Sequence, residues 1–154
     1  MKKIGIGIFA GAMLLGIILF TAMPKMMLIE KASPYGHDET VQRIESAVTN
    51  GGWEISRTMN MQKSLAKLGQ EIGRVTVVKI CEPNHAAAIL TDDDAMFVAV
   101  MMPCSIAVYD KTDGKTYVST MNAGMMGRMF GGTVAEVMAG PVAREAAAFT
   151  AFLE

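Results

Sequence analysis

"VVKICEPNHAAAIL", residues 77–90, is the segment from which the architecture of this chain follows. It begins inside "GRVTVVKIC", residues 73–81, whose density of β-branched side chains predicts an interior strand of a sheet. Pro83 then stands where a proline suits the first turn of a helix, so "PNHAAAIL" is predicted as a short helix. The segment therefore indicates a domain that mixes strands and helices.

The segments on both sides of this stretch predict further strands and helices. Upstream we expect an edge strand over 25–33, a helix over 38–50, a strand over 53–60 and a short helix over 62–69. Downstream we expect a strand at "AMFVAVMM" (95–102), a hairpin over 105–121 turning at Asp113-Gly114, and a long helix with a capping box at Thr133 and Glu136 and a kink at Gly140-Pro141. This order predicts an α+β domain, an antiparallel sheet with helices on one face.

The beginning of the chain predicts a membrane anchor. Residues 4–23 carry no charge, and as a helix rising ~1.5 Å per residue they would cross a ~30 Å hydrocarbon core. The run exceeds the 7–15 apolar residues typical of a cleavable signal, and a cut after Ala22 would place the bulky Phe20 where a small residue is needed. We therefore expect an uncleaved transmembrane helix within residues 1–24 and a separate domain over 25–154.

Charge suggests the location and the partners of the domain. Lys2 and Lys3 precede the apolar run, and positive flanks stay cytoplasmic. We therefore expect a single pass through the inner membrane with the domain on the extracytoplasmic side, the periplasm in a Gram-negative cell, and the lipid bilayer as its first partner. The net charge of −1 and pI near 6.1 give no basic field for nucleic acid, which is not an expected partner.

Two cysteines and a histidine surround the predicted short helix. Cys81 ends the interior strand, His85 follows four residues later, and Cys104 begins the next sheet segment. Because the ends of neighbouring antiparallel strands meet at one edge of a sheet, we expect these side chains to converge.

Three interpretations of this group stay open. A disulfide between Cys81 and Cys104 suits an oxidising compartment and would stabilise the domain by ~3–4 kcal/mol in the chain-entropy model. Two buried free thiols, acting as small apolar groups, are equally compatible. In the third interpretation Cys81, His85 and Cys104 bind a cofactor or a metal, either non-covalent haem or Cu(I), since thiolate and imidazole are ligands of both centres. The absence of any cofactor is as plausible as either.

Two further features bear on metal binding. Met121, Met125 and Met129 recur at the i, i+4, i+8 spacing of one helix face, which would suit either copper or ordinary packing. The second histidine, His37, stands beside Asp38 in a predicted turn and is expected to be solvated.

Three segments carry a combined pattern: "GGW" (51–53) enters a strand, "VVKICEPNHAAAIL" contains Cys-x-Pro-x-x-Ala, and "MPCSIAVYDKTDGKTYVS" (102–119) contains Pro-Cys-x-x-x-Val-Tyr in a hairpin. These segments resemble the corresponding segments of the domain-of-unknown-function 302 family. The resemblance runs from about Met26 to Glu154. It implies a compact α+β domain with a TATA-binding-protein-like layout in single copy, one that forms a dimer, and it implies little about activity. Glu82 departs from the family's usual Asn, and "MNAGMMGRMFGG" (121–132) is richer in methionine than the family's pattern.

No grouping of residues is typical of a catalytic site. Ser105 and Ser119 lack an evident base, so we expect a binding protein rather than an enzyme. The hypothesis is a membrane-anchored extracytoplasmic accessory protein. It would act as a homodimer or as a subunit of a larger membrane complex such as an electron-transfer assembly. Haem and a soft metal are its candidate cofactors. The alternative is a thiol–disulfide redox protein or sensor using Cys81 and Cys104, which requires an accessible thiol of low pKa.

Overall fold

The computed structural model of the protein describes residues 25–153, together with Met13 and Gly16. The anchor predicted within residues 1–24 lies outside the described residues, apart from those two. Among the residues that are described, no helix is both long enough and apolar enough to cross a membrane.

Five strands form an antiparallel sheet in the described part of the chain. They are β1 (Leu28–Ala32), β2 (Glu54–Asn60), β3 (Val75–Cys81), β4 (Cys104–Asp110) and β5 (Thr116–Met121). Their order across the sheet is β1-β5-β4-β3-β2, and every neighbouring pair is antiparallel. The predicted α+β class and antiparallel sheet are confirmed. β3 is an interior strand as expected, although β4 occupies the centre.

Six α-helices, a 3₁₀ helix and a π-helical turn connect and flank the strands in residues 25–153. They are α1 (His37–Asn50), α2 (Met61–Ala66), α3 (Pro83–Leu90), the 3₁₀ helix (Met96–Met101), α4 (Ala123–Phe130), α5 (Gly132–Val137), the π-helical turn (Met138–Val142) and α6 (Ala143–Phe149). Pro83 occupies the first turn of α3 as predicted. The predicted kink is also confirmed, since Gly140 leaves helical geometry with φ −90° and ψ −110° immediately before Pro141.

One face of the sheet carries the core. Thr76, Val78 and Ile80 alternate along β3 as buried residues, because successive side chains of a strand point to opposite faces. The same core contains Ile106 and Val108 of β4, Val118 of β5, Ile44 and Val48 of α1, Ile89 of α3 and Phe149 of α6. The alternate side chains are exposed or half-buried, and we call this second surface the open face: Arg57, Val77, Lys79, Ser105, Ala107, Tyr109, Tyr117 and Ser119.

The strand predicted at residues 95–102 is wrong, because this apolar run forms the 3₁₀ helix. β3 is already paired with β2 on one side and β4 on the other, so the run has no free position beside it. Val98 points into the core, while Phe97 and Val100 are 60% and 88% exposed. The run is apolar enough for a buried strand, but in the 3₁₀ helix only part of its apolar surface is buried.

Two local predictions are also wrong. Thr133 does not cap a helix: α5 begins after Gly131, and the Thr133 hydroxyl instead donates to Asp92 Oδ2 at 2.5 Å. His37 is not solvated, since it begins α1 and only 5% of its surface is exposed. Its Nδ1 lies 3.5 Å from Asp38 Oδ1, and neither ring nitrogen has a hydrogen-bond partner among the described residues.

Candidate functional site

A small cavity at one end of the sheet brings the predicted site residues together. Cys81, His85 and Cys104 all line it, as expected from the meeting of strand ends. Trp53 and Glu82 also line the cavity, as do four methionines, namely Met101, Met102, Met121 and Met138. The cavity lining therefore combines two cysteines, a histidine, a glutamate and several methionines with apolar residues.

The register of the sheet explains why the two cysteines meet. Ile80 of β3 lies directly opposite Cys104 of β4, so Cys81 comes one position beyond this pair at the same edge. Cys104 shares the core face with Ile80, whereas Cys81 follows on the alternate side at the strand end. Both residues are free cysteines in the structure, without the disulfide that one interpretation required.

The surroundings of the thiols disfavour their ionised form. Burial raises the pKa of Cys81, and the nearby carboxylates of Glu54 and Glu82 raise it further. Burial also raises the pKa of Cys104, with Cys81 as a second cause because two thiolates would repel each other. Thiols of raised pKa stay protonated at neutral pH and are weak nucleophiles.

A buried tryptophan and a glutamate hold the imidazole in place. Trp53 Nε1 donates to Glu145 Oε2 at 2.7 Å, and His85 Nε2 lies 3.1 Å from the same oxygen. Because a carboxylate only accepts, the His85 proton in this contact is on Nε2. The Trp53 and His85 rings meet edge to face with centroids 6.0 Å apart. Glu145 thus fixes the orientation of His85, as carboxylates do for metal-ligating histidines.

Glu82 has a structural role at the start of α3. Its Oε2 accepts from the His85 backbone N–H at 2.6 Å, and its Oε1 accepts from Asn84 Nδ2 at 2.8 Å. The His85 backbone donor holds the pKa of the Glu82 carboxyl below its usual value. Glu82 therefore caps the helix that carries His85.

Sequence reasoning did not find the contact between Trp53 and Glu145, nor the thioether wall. Glu145 follows Trp53 by 92 positions, and its surroundings in α6 have the appearance of an ordinary helix surface. The one available signal was that Trp53 is the sole tryptophan of the chain. The predicted stripe of Met121, Met125 and Met129 is not one helix face, since Met121 ends β5 and only the other two lie in α4.

The size of the cavity distinguishes between the candidate cofactors. Its volume of about 40 Å³ suits an ion or about one water molecule, whose share of liquid volume is about 30 Å³. Pockets for larger organic ligands measure about 300–1,000 Å³, so the cavity does not accommodate haem. Within residues 25–153, no three His, Cys, Asp or Glu side chains are clustered tightly enough to hold a metal ion. The assignment of Cys81, His85 and Cys104 as ligands stays a prediction.

The raised thiol pKa values predict slow alkylation at neutral pH. In the folded protein, the iodoacetamide reaction of Cys81 and of Cys104 should reach half its maximal rate above the pH of about 8.5 that is typical of free cysteine. The unfolded thiols ionise first, so the free energy of unfolding should fall as the pH rises above about 8.5. Mass spectrometry of each cysteine across a pH series measures the midpoints, with urea-unfolded protein as the control. A midpoint near 7 for either folded thiol would contradict this.

Removing the acceptor of the Trp53 N–H should destabilise the domain. Trp53 is 4% exposed, so Glu145→Ala leaves a buried donor unpaired and should lower the free energy of unfolding by about 1–3 kcal/mol. Glu145→Gln keeps an acceptor and should lose less. Urea denaturation followed by the fluorescence of Trp53 gives the values, and exposed Glu136→Ala in α5 is the control, expected within about 0.5 kcal/mol of the parent. Equal stability of Glu145→Ala and the control would show that the contact contributes nothing.

Comparison with known proteins agrees with this fold. The family model described as "Domain of unknown function DUF302" matches residues 29–151. Among solved structures, the chain is similar to the uncharacterized conserved protein DUF302 from Bacillus stearothermophilus, with a TM-score of 0.72 and 20% identity over 84% of this chain and 99% of that one. None of the curated proteins matches the chain in sequence. The chain belongs to the DUF302 family.

Proposed function

We propose that this domain binds a single soft metal ion, Cu(I), in the cavity beside Cys81, His85 and Cys104. The observation that carries the proposal is the lining itself, which includes two cysteines, a histidine and four methionines in one small space. Thiolate and thioether sulfur select Cu(I) over harder ions. No tight cluster of three His, Cys, Asp or Glu ligands exists in residues 25–153, so the thioethers would complete the coordination that the thiols begin.

The electrostatics of the thiols favour a metal-binding role over the redox alternative. A thiol that coordinates a metal loses its proton because the ion supplies the compensating charge, so a raised pKa in the empty site is no obstacle. One proton leaves for each thiol that becomes a ligand. A thiol that attacks a disulfide instead needs a substantial thiolate fraction before any partner arrives, and the raised pKa values of Cys81 and Cys104 oppose that.

We also propose that the domain acts as an anchored accessory protein outside the cytoplasm. Support comes from the sequence alone: the uncharged residues 4–23 and the two lysines before them. In this proposal the chain holds its ion near the membrane as a homodimer or as part of a larger membrane complex.

Cu(I) binding is tested with the reduced full-length chain in detergent, titrated in competition with a chromogenic Cu(I) chelator. One ion per chain is expected, with release of up to two protons. Removing a residue that only hydrogen-bonds to a metal ligand typically weakens metal binding about 10–100-fold. Cys81→Ser and Cys104→Ser each remove a proposed ligand, so each should weaken Cu(I) binding by at least that factor. Met129→Leu is the matched control: Met129 is 50% exposed and outside the cavity, so binding should not change. Retention of Cu(I) by the Cys81→Ser/Cys104→Ser double variant would refute this site.

The orientation is tested in intact bacterial cells whose outer membrane, where there is one, has been opened. Protease added from outside should digest the domain over residues 25–154 while a cytoplasmic control protein stays whole. Digestion that begins only after lysis would place the domain inside and overturn the orientation.

A further inference from the structure

We propose that the open face of the sheet binds the headgroup of an anionic phospholipid through Arg57 and Lys79, and that the groove beside it takes part of an acyl chain. Arg57 and Lys79 lie outside the proposed metal site, although Met101, Met102 and Met121 line both the cavity and the groove. This proposal depends on the proposed anchor in one respect only, which is that the anchor would hold the domain close to the lipid bilayer.

The first observation is a pair of like charges on neighbouring strands. Arg57 of β2 and Lys79 of β3 are direct cross-strand partners, an arrangement that destabilises a sheet unless an anion offsets it. Neither side chain forms an ion pair with any described residue. The acidic residue of β2 is Glu54, and it lies opposite Cys81 at the strand end. It is therefore not the cross-strand partner of Lys79.

The second observation is the hydroxyl groups beside these cations. Lys79 is half-buried, and its Nζ donates to Ser105 Oγ of β4 at 2.7 Å. Ser119 of β5 lies further across the same face. A guanidinium, an ammonium and neighbouring hydroxyls are the donors that a phosphodiester accepts from.

The third observation is a groove on the open face that Lys79 helps to line. This open groove of about 570 Å³ has the polar side chains of Lys79, Ser105 and Ser119 in its lining. The same lining contains the apolar side chains of Leu28, Val100 and Met126. Leu28 is 60% exposed and Val100 is 88% exposed, although both are large aliphatic side chains. A groove whose lining combines a lysine with exposed aliphatic side chains suits a ligand with a charged head and a hydrocarbon chain.

The position of the groove along the chain favours a lipid as its occupant. Met27 lines the groove, and it follows Met23, the end of the uncharged run, by four positions. Four residues of extended chain span at most about 14 Å. If residues 4–23 cross the bilayer, the groove is held within about that distance of the lipid headgroups.

The test uses the full-length chain in a neutral detergent. Short-chain phosphatidylglycerol and short-chain phosphatidylcholine are titrated separately, and native mass spectrometry counts the bound lipid. Phosphatidylglycerol should bind more tightly. Arg57→Gln and Lys79→Gln should each reduce that preference about fivefold, which corresponds to about 1 kcal/mol per basic residue near a membrane surface. Val100→Gln should weaken both lipids, because it acts on the acyl chain.

A matched control separates this site from general charge effects. Lys67→Gln removes an exposed lysine that does not line the groove, so the preference should stay unchanged. Equal binding of the two lipids, or equal losses in Lys67→Gln and Lys79→Gln, would overturn the proposal. Inorganic phosphate that competes as well as the lipid would show a site for free anions. A change in oligomeric state on Lys79→Gln without any lipid preference would show an interface between two copies of the chain.

The same samples distinguish this proposal from the metal site. Arg57→Gln and Lys79→Gln should bind Cu(I) like the parent, since neither residue lines the cavity. A parent protein that prefers phosphatidylglycerol but binds no Cu(I) would refute the metal site alone. The reverse result would refute the lipid site alone.

Discussion

The pairing of β3 with β4 determines where the chemistry of this domain lies. With Ile80 opposite Cys104, two cysteines that are far apart in the chain reach the same end of the sheet. A slip of one residue would turn Val78 and Ile80 from the core to the open face. Since burial of each such side chain contributes about 1.5–3 kcal/mol, the core holds the register firmly. The burial that fixes the register therefore also sets the geometry of the cavity, and Ile80 belongs to the cavity lining as well.

The parts of the fold that depend on local signals could be predicted from the sequence. Pro83 marked the start of α3, Asp113-Gly114 marked the hairpin turn, and Gly140-Pro141 marked the kink. Gly114 has φ +78°, a backbone conformation that glycine adopts without steric cost. The position of Cys81 and Cys104 at one end of the sheet also followed, because the end of β3 meets the start of β4 there.

The features of the fold that could not be predicted depend on contacts between residues that are far apart in the sequence. The apolar run at 95–102 satisfies the pattern of a buried strand, but other segments occupy every interior position of the five-stranded sheet. The hydrogen bond between Trp53 and Glu145 joins two segments that have no common motif. His37 is buried by tertiary packing that its polar sequence surroundings do not reveal.

Met101, Met102 and Met121 line both the sulfur-rich cavity and the groove on the open face. They form a shared partition of unbranched, easily rotated side chains that can repack at little energetic expense. If a ligand in the groove moves these methionines, it changes the affinity of the cavity for its own ligand. Binding in the cavity must then change the affinity of the groove by the same factor. The two surfaces of the domain are therefore not energetically independent wherever the partition moves.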